Sequence, residues 1–525
     1  MISRLGVACF LAVLTLLGFL VFPGHTYLQS DTQIYVPMME HIADPSAFPR
    51  DLVATKPHLS YTIYDDVAIG LRRWIPFEAS LTVQQILYRA MQLLGIYLLA
   101  SALPLSPLAA LAVTAVAGLG ATITGPAVLL MEYEPVPRGY AIGLIFLAIG
   151  VAAQSHPVLA SVAASLGFLY HAPTTFPFWV CFLPIVLWKR QWNALIPLTV
   201  AGAIILLAAH FQAGVVEQQH FFFRIDPEFE KLQRMRASYN WVSVWFGAMM
   251  KQYVFFWLAS LSAYWRLKPQ WDRLTGLSFA VGLPLIGILS VPLSYLLLER
   301  LKWGLIPQYQ PARGLLFVTA FALILGAAAA VRATEKKNRV EALLWFTLVL
   351  AMPMRGNIQD LELRQWLLAG GLALVCALVP PKLLLIPIMA AYFLIPSIGQ
   401  IKNYPQLETA ELAQLEHFAK QQTPPGAMFV FPDAGRALYP GVFRVRAKRS
   451  VYVDWKSGGQ VNYYRSLADD WWARWQEFDE LQDRSPDLRR LNSDGIDYVV
   501  MTSGNPLSGQ QPIFHNGRFL VYPVH

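Results

Sequence analysis

Charge is what this sequence has least of. Asp, Glu, Lys and Arg make up 14% of its 525 residues against 55% hydrophobic, where a soluble domain carries about 25% charged residues. With a mean hydropathy of +0.42, too little polar surface remains to solvate a globule of this size, which excludes water as the only solvent. Cysteine is nearly absent as well. Cys9, Cys181 and Cys376 all lie inside apolar runs, which argues against a disulfide framework or a thiolate metal site and for buried or lipid-facing thiols. No internal repeat and no low-complexity tract is present. The net charge of +8 is not read as a nucleic-acid footprint, because much of the excess sits in short loops between apolar spans, where it sets topology.

What is present is a series of long apolar runs in the first four hundred residues, with dense charge after them. The runs at 5–22, 81–103, 106–123, 139–153, 156–170, 173–188, 192–211, 241–263, 275–298, 313–331, 340–354, 364–379 and 383–398 read as about thirteen transmembrane helices. The first follows Arg4 and precedes no A-x-A-like site, as an uncleaved signal anchor with a cytoplasmic N-terminus would. Lys189 and Arg190, then Arg266, Lys268 and Arg273, then Arg332, Lys336, Lys337 and Arg339, then Lys382 all fall in loops of one side. The longer loops of the other side, 24–80, 212–240, 299–312 and 355–363, are mixed in charge, which is the positive-inside pattern. Sixteen Trp and 22 Tyr suit two membrane–water interfaces.

The predicted fold class is therefore a polytopic α-helical membrane protein over 1–399, followed by an extracytoplasmic α/β domain over 400–525. In that tail 408–420 has helical spacing, 427–431 and 450–455 read as strands, 469–478 as a Trp-rich helix, and 498–501 and 518–521 as further strands. Arg444, Arg446 and Arg449, followed by Asp454, Trp455 and Lys456, read as a basic strand edge. Two roles are open for it: contact with an anionic glycan or lipid headgroup, or a solvated face.

The first external loop, 24–80, is too long for a plain connector. Ser30-Asp31-Thr32-Gln33 fits a capping box with Ser30 as N-cap. Ile34, Met38 and Ile42 then share one helical face, as in an interfacial helix, and Asp44-Pro45 ends it. A second amphipathic stretch covers 61–74. Asp31 lies at the first turn, where the helix dipole favours a carboxylate. Either it improves the cap, or it acts as a general base or metal ligand.

A first span, a long external loop with two interfacial helices and an acid at its start, about thirteen spans and an external α/β tail resemble the GT-C superfamily. These are integral membrane glycosyltransferases that use polyprenyl-phosphate-linked sugars, and the architecture looks most like the oligosaccharyltransferase catalytic-subunit branch. The segment from Asp31 to Tyr35, with Asp44-Pro45 and Phe48-Pro49-Arg50-Asp51, is also similar to a bacterial family of such proteins. The resemblance implies that Asp31 is the catalytic base or its neighbour. It also implies a second acid in the next external loop, where Glu132 and Glu134 stand, and substrate contacts from Tyr35, Arg50 and Asp51.

Arg138, at the outer end of a span, suits a lipid phosphate, with snorkelling as the alternative. The patch from Gln308 to Arg313 resembles the late external loop that contacts the donor in the superfamily, which implies Gln310 and Arg313 as further phosphate or sugar ligands. His171 falls near the same cavity, either as a ligand or as a hydrogen-bonded structural residue; His156 falls on the other side. No histidine has metal-site spacing, so no metal ligand is assigned, and a divalent cation stays open as a cofactor. Trp471-Trp472-Ala473-Arg474 is not a WWDYG-type motif, which puts peptide glycosylation in doubt.

The expected activity is inverting transfer of a sugar from a polyprenyl-phosphate-linked donor to a glycan, lipid or protein acceptor. Its expected place is the periplasmic face of a cell inner membrane, among membrane lipids and without nucleic acid. A glycolipid transporter or flippase would show half-repeats and charges within its spans. A non-catalytic assembly factor would share the fold without the chemistry.

Overall fold

The structure, a computed structural model, describes residues 3–524 except 57–60, 212–221, 246, 268–272, 464 and 480–487. Lys268 and part of the expected external loop 212–240 thus lie outside the described residues. The helix Leu315–Glu335 has no polar stripe, and a helix apolar all round must be enclosed by others. It is buried almost throughout. Pro107–Gly118, Gly247–Leu267, Leu283–Ser294 and Arg339–Ala351 pack around it.

Among the described residues, length and composition qualify four helical stretches to cross a membrane: Pro157–Trp188, Trp192–His210, Leu274–Arg300 and Ile306–Glu335. Shorter apolar helices cover Arg4–Leu20, Pro107–Gly118, Pro137–Ala153, Leu363–Leu378 and Pro381–Ser397. The expected spans at 81–103, 241–263 and 340–354 fall on Phe77–Ser101, Gly247–Leu267 and Arg339–Ala351, which meet neither description. Pro157–Trp188 is broken at His171 (φ −160°, ψ 88°). A Cβ on Gly167 would lie 3.2 Å from Thr175 Cγ2, although eight residues of straight helix span about 12 Å. The chain folds back at His171, so the two helices read at 156–170 and 173–188 are separate arms. At the end of the bundle far from Arg313, Arg332 donates to the Pro104 carbonyl at 2.7 Å and Arg266 pairs with Glu341 at 2.7 Å. Trp188 and Trp265 are largely exposed beside Lys189 and Arg266, as in an aromatic belt.

The first loop forms the helices Thr32–Ala43, Leu52–Thr55 and Tyr64–Leu71. The first of these is not interfacial. Ile34, Val36, Met38 and Met39 are buried in a cluster that joins Tyr140 and Tyr170 of the membrane helices to Phe429 and Phe443 of the tail. The loop is thus a middle layer between bundle and tail. A Cβ on Gly441 would collide with the Gln33 side chain, so the helix Tyr439–Ala447 packs on Thr32–Ala43 through a glycine.

Within the bundle a short hairpin pairs β1 (Thr122–Ile123) with β2 (Val128–Leu129). The tail holds β3 (Met428–Val430), β4 (Ser450–Val451), β5 (Tyr498–Thr502), β6 (Phe514–His515) and β7 (Phe519–Pro523) in the order β4-β3-β5-β7-β6. The pairs β3–β4 and β3–β5 are parallel; β5–β7 and β6–β7 are antiparallel. Ala410–Gln422 and Arg465–Asp479 are its main helices.

The basic strand edge does not exist. Pro440 sits in the first turn of the helix Tyr439–Ala447, a favoured place for it, and Arg444 points inward. Its Nε donates to Asp51 Oδ2 at 2.6 Å and its Nη2 pairs with Asp454. Asp51 also accepts from the Val451 amide at 2.9 Å and caps Leu52–Thr55 through the Val53 and Ala54 amides. Arg449 is spent on the carbonyls of Lys420 and Thr423. Removing one member of a buried ion group leaves the others uncompensated, at a cost of about 3–5 kcal/mol. Arg444→Ala should therefore lower the thermal midpoint of the purified chain and expose its tail to protease; an unchanged midpoint would show that the group adds nothing.

Candidate active site

The first amides of the helix Thr32–Ala43 need acceptors, and the expected capping box does not supply them. Asp31 occupies the N-cap position without a side-chain cap bond, and Gln33 donates to the Leu28 carbonyl at 2.7 Å. The acceptor comes from the second external loop. Glu134 takes the Ser30 and Asp31 amides at 2.6 Å each, the Thr32 amide at 3.4 Å and the Thr32 hydroxyl at 3.1 Å.

Relieved of capping, the Asp31 carboxylate faces two cations. Arg138 Nη1 donates to its Oδ2 at 2.7 Å and Lys456 Nζ to its Oδ1 at 2.6 Å. Arg138 Nε also donates to Glu132 Oε1 at 2.6 Å, and Lys456 Nζ to Ser30 Oγ at 2.8 Å. Burial works to raise the Asp31 carboxyl, but Lys456 and then Arg138 outweigh it and hold it well below the usual range. Burial, and then repulsion from Asp31, pushes Glu134 up to about 7. Glu132 is also raised by burial, with Arg138 opposing.

Ser30, Asp31, Arg138 and Lys456 border a cavity of about 330 Å³. Its charged lining is Arg138, Arg236, Arg313 and Lys456 against one acid, Asp31; Tyr35, His171, Tyr239, Gln310 and Tyr463 add polar edges. Arg313 follows Gln310, whose left-handed backbone (φ 50°) turns the chain into the helix above. Its Nε is buried with no hydrogen-bond partner among the described residues. No described carboxylate pairs with this guanidinium, so the lining carries a surplus of positive charge. A second cavity of about 220 Å³ adjoins the first through Tyr35, His171 and Tyr463, and is otherwise mostly aromatic and apolar, with Tyr61, Tyr170, Pro173, Leu305 and Tyr309.

Of the residues singled out in the sequence, Asp31, Tyr35, Arg138, His171, Gln310 and Arg313 share this cavity. Glu132 and Glu134 stand behind it, one on Arg138 and one on the amides around Asp31. His171 Nδ1 bonds the Thr174 hydroxyl at 2.8 Å, so it both shapes its turn and lines the site. Asp51 and Arg50 lie elsewhere. Asp51 is buried against Arg444, and Arg50 donates to the Gly495 and Gly426 carbonyls and pairs with Asp497. Both tie the first loop to the tail.

Arg236, at the end of the helix Pro227–Arg236, and Lys456 escaped assignment to the site. So did a polar ladder inside the helix Phe77–Ser101, which covers most of the span expected at 81–103. Arg89 donates to the carbonyls of Gly18, Gly24 and Glu132 at 2.6–2.9 Å. Gln85 reaches the Glu132 carbonyl at 3.0 Å and Gln92 the Leu130 carbonyl at 2.7 Å. Polar residues at 85, 89 and 92, on one helical face of an apolar span, were the available signal.

A divalent cation does not fit the acids as they stand. Asp31 faces two cations, and the Glu134 oxygens are taken by N–H and O–H donors. Among the described residues no cluster of three or more His, Cys, Asp or Glu offers a metal site.

No protein-family model and no curated protein matches the sequence. Among solved structures, ArnT from Cupriavidus metallidurans in the apo state is similar over 99% of this chain and 98% of its own, with 13% identity and a TM-score of 0.43. ArnT bound to undecaprenyl phosphate is similar over 100% and 99%, with 13% identity and a TM-score of 0.46. The arabinofuranosyltransferase AftD from Mycobacteria is similar over 97% of this chain but 36% of its own, with 15% identity and a TM-score of 0.45. At these scores the likeness by itself assigns neither fold nor chemistry.

The raised Glu134 carboxyl has a pH signature. A native value of about 7 exceeds the ordinary Glu value of about 4.3, so the native state holds this proton more tightly than the unfolded chain. The resulting stability is complete below the ordinary value and is lost as pH rises through the native one. Between about pH 5 and 8 the thermal midpoint should fall more steeply with pH in the wild type than in Glu134→Gln. Equal slopes would mean that Glu134 stays ionised throughout.

Proposed function

We propose that this chain is a GT-C-type membrane glycosyltransferase that moves a sugar from a polyprenyl-phosphate-linked donor to an acceptor, with inversion, at the periplasmic face of a bacterial inner membrane. In this reading residues 1–399 form the membrane domain, 400–525 the periplasmic domain, and the N-terminus is cytoplasmic. The observation that carries it is Arg313, whose buried Nε has no hydrogen-bond partner among the described residues, in a cavity with three further cations and a single acid. Fork-shaped guanidiniums match phosphate oxygens, and a phosphate is the anion that would balance this lining.

Arg313 and Arg138 hold the donor phosphate, while the aromatic second cavity gives the first isoprenoid units an apolar path. Asp31, the one acid of the lining, takes the proton from an acceptor hydroxyl. The oxygen attacks the anomeric carbon, the carbon–oxygen bond to the phosphate breaks, and polyprenyl phosphate leaves with its charge balanced by the two arginines. Glu134 and Glu132 support this from behind, by fixing the amides around Asp31 and the angle of Arg138. A flippase reading would need a free charge within a span; Arg89, the buried charge of Phe77–Ser101, is committed to three carbonyls.

Lipid mass spectrometry on the detergent-purified protein tests the donor. Polyprenyl phosphate should accompany the wild type and fall at least about tenfold in Arg313→Ala, the scale for losing a charge-assisted pair. Its absence from wild type and variant alike would sink the assignment. Asp31→Asn should abolish sugar transfer with the fold intact, and normal transfer in that variant would remove Asp31 from the mechanism.

A further inference from the structure

Lys456 reaches the cavity from the tail, on a turn that is held firmly. The Ser457 amide donates to Asp454 Oδ1 at 2.9 Å. Arg236 Nε donates to the Trp455 carbonyl at 2.9 Å. The Trp455 ring has the guanidiniums of Arg236 and Arg436 each 4.5 Å from its centre. A Cβ on Gly458 would collide with the Trp471 ring, which seals the other side. The backbone at Lys456 is therefore fixed, whereas its side chain is a flexible stem with a rotatable ammonium. That ammonium sits on Asp31 and Ser30, in a side chain only 14% exposed.

A carboxylate engaged by two cations is a poor proton acceptor, so the resting arrangement is not the reactive one. The same cavity offers Arg313, whose Nε has no hydrogen-bond partner among the described residues, and a phosphate seated there brings several strong acceptor oxygens into the space that Lys456 also lines. We propose that Lys456 exchanges partners when the donor binds, leaving Asp31 for the donor phosphate, so that Asp31 is freed to take a proton only once the phosphate is seated. Lys456 is then a donor-binding group supplied by the tail, and Asp31 is the anion it gives up. This inference rests on the phosphate-donor reading above.

A double-mutant cycle on lipid binding tests it. The affinity of the purified full chain for undecaprenyl phosphate is measured by native mass spectrometry in the wild type, Asp31→Asn, Lys456→Gln and the double variant. Asp31→Asn removes the competing anion and should tighten binding by about tenfold, within the range of coupling between contacting residues. Lys456→Gln should weaken it by a similar factor, and in that background the gain from Asp31→Asn should shrink by at least about threefold. Lys456→Arg, which keeps the charge, should bind within about threefold of the wild type. An equal gain in both backgrounds, or wild-type affinity in Lys456→Gln, overturns the exchange while leaving the donor reading intact. Weaker binding in Asp31→Asn overturns it even if Lys456→Gln does not fold. No binding by any form sinks the donor reading and the exchange together.

Discussion

A helix that begins beneath a folded domain needs acceptors from the protein for its first amides. Here one carboxylate from another loop answers that need. Glu134 accepts three consecutive amides and the Thr32 hydroxyl. The rest of the site depends on this substitution. Were Asp31 the cap, its oxygens would be turned into the helix, Lys456 would face no acid and Arg138 would keep only Glu132. Because Glu134 performs that task, the neighbouring carboxylate is released into the cavity at a fixed position, and two external loops are locked together in the same act.

The second constraint is repulsion. Arg138, Arg236, Arg313 and Lys456 line one small space, and like charges this close raise each other's energy in a low dielectric. Each is anchored from behind, except Arg313. Arg138 is braced by Glu132, Arg236 by carbonyls of the 454–460 turn, and Lys456 by Ser30 and Asp31. The Glu132 loop is in turn held by Arg89 and Gln85 from within the membrane helix. The polar residues of that span therefore serve the site without touching it, by fixing the carbonyls on which the acidic loop hangs.

Much of this was legible in the sequence because it depends on sidedness and local period. Apolar runs and basic loops put Asp31, Arg138, Gln310 and Arg313 on one side, and the resemblance to the GT-C superfamily is what pointed to a shared cavity. The helices at 32–43 and 410–422 followed from spacing. What stayed hidden depends on partners far away in the chain. The donors to Glu134 are 102–104 residues distant, so the local capping box looked sufficient. Arg444 is 393 residues from Asp51; without that partner its inward orientation cannot be anticipated, and a basic strand edge is the natural reading. The first-loop helix looked interfacial for the same reason, since its cover arrives with the tail. Period-based reading reports which face is apolar, not what lies against it.

The acid of the site meets its ammonium 425 residues downstream. At ordinary rates of synthesis, about 5–20 residues per second, tens of seconds separate the emergence of one from that of the other. Throughout that interval the helical bundle exists without Lys456 and without Arg444, the residue that anchors the first loop from above. The order of the chain thus acts as a timer: a nascent protein whose bundle is already built remains incomplete at its charged cavity until the tail has been made and folded. On the reading proposed above, a half-built molecule lacks the phosphate-binding group that the tail supplies, and donor capture waits on the direction of translation itself.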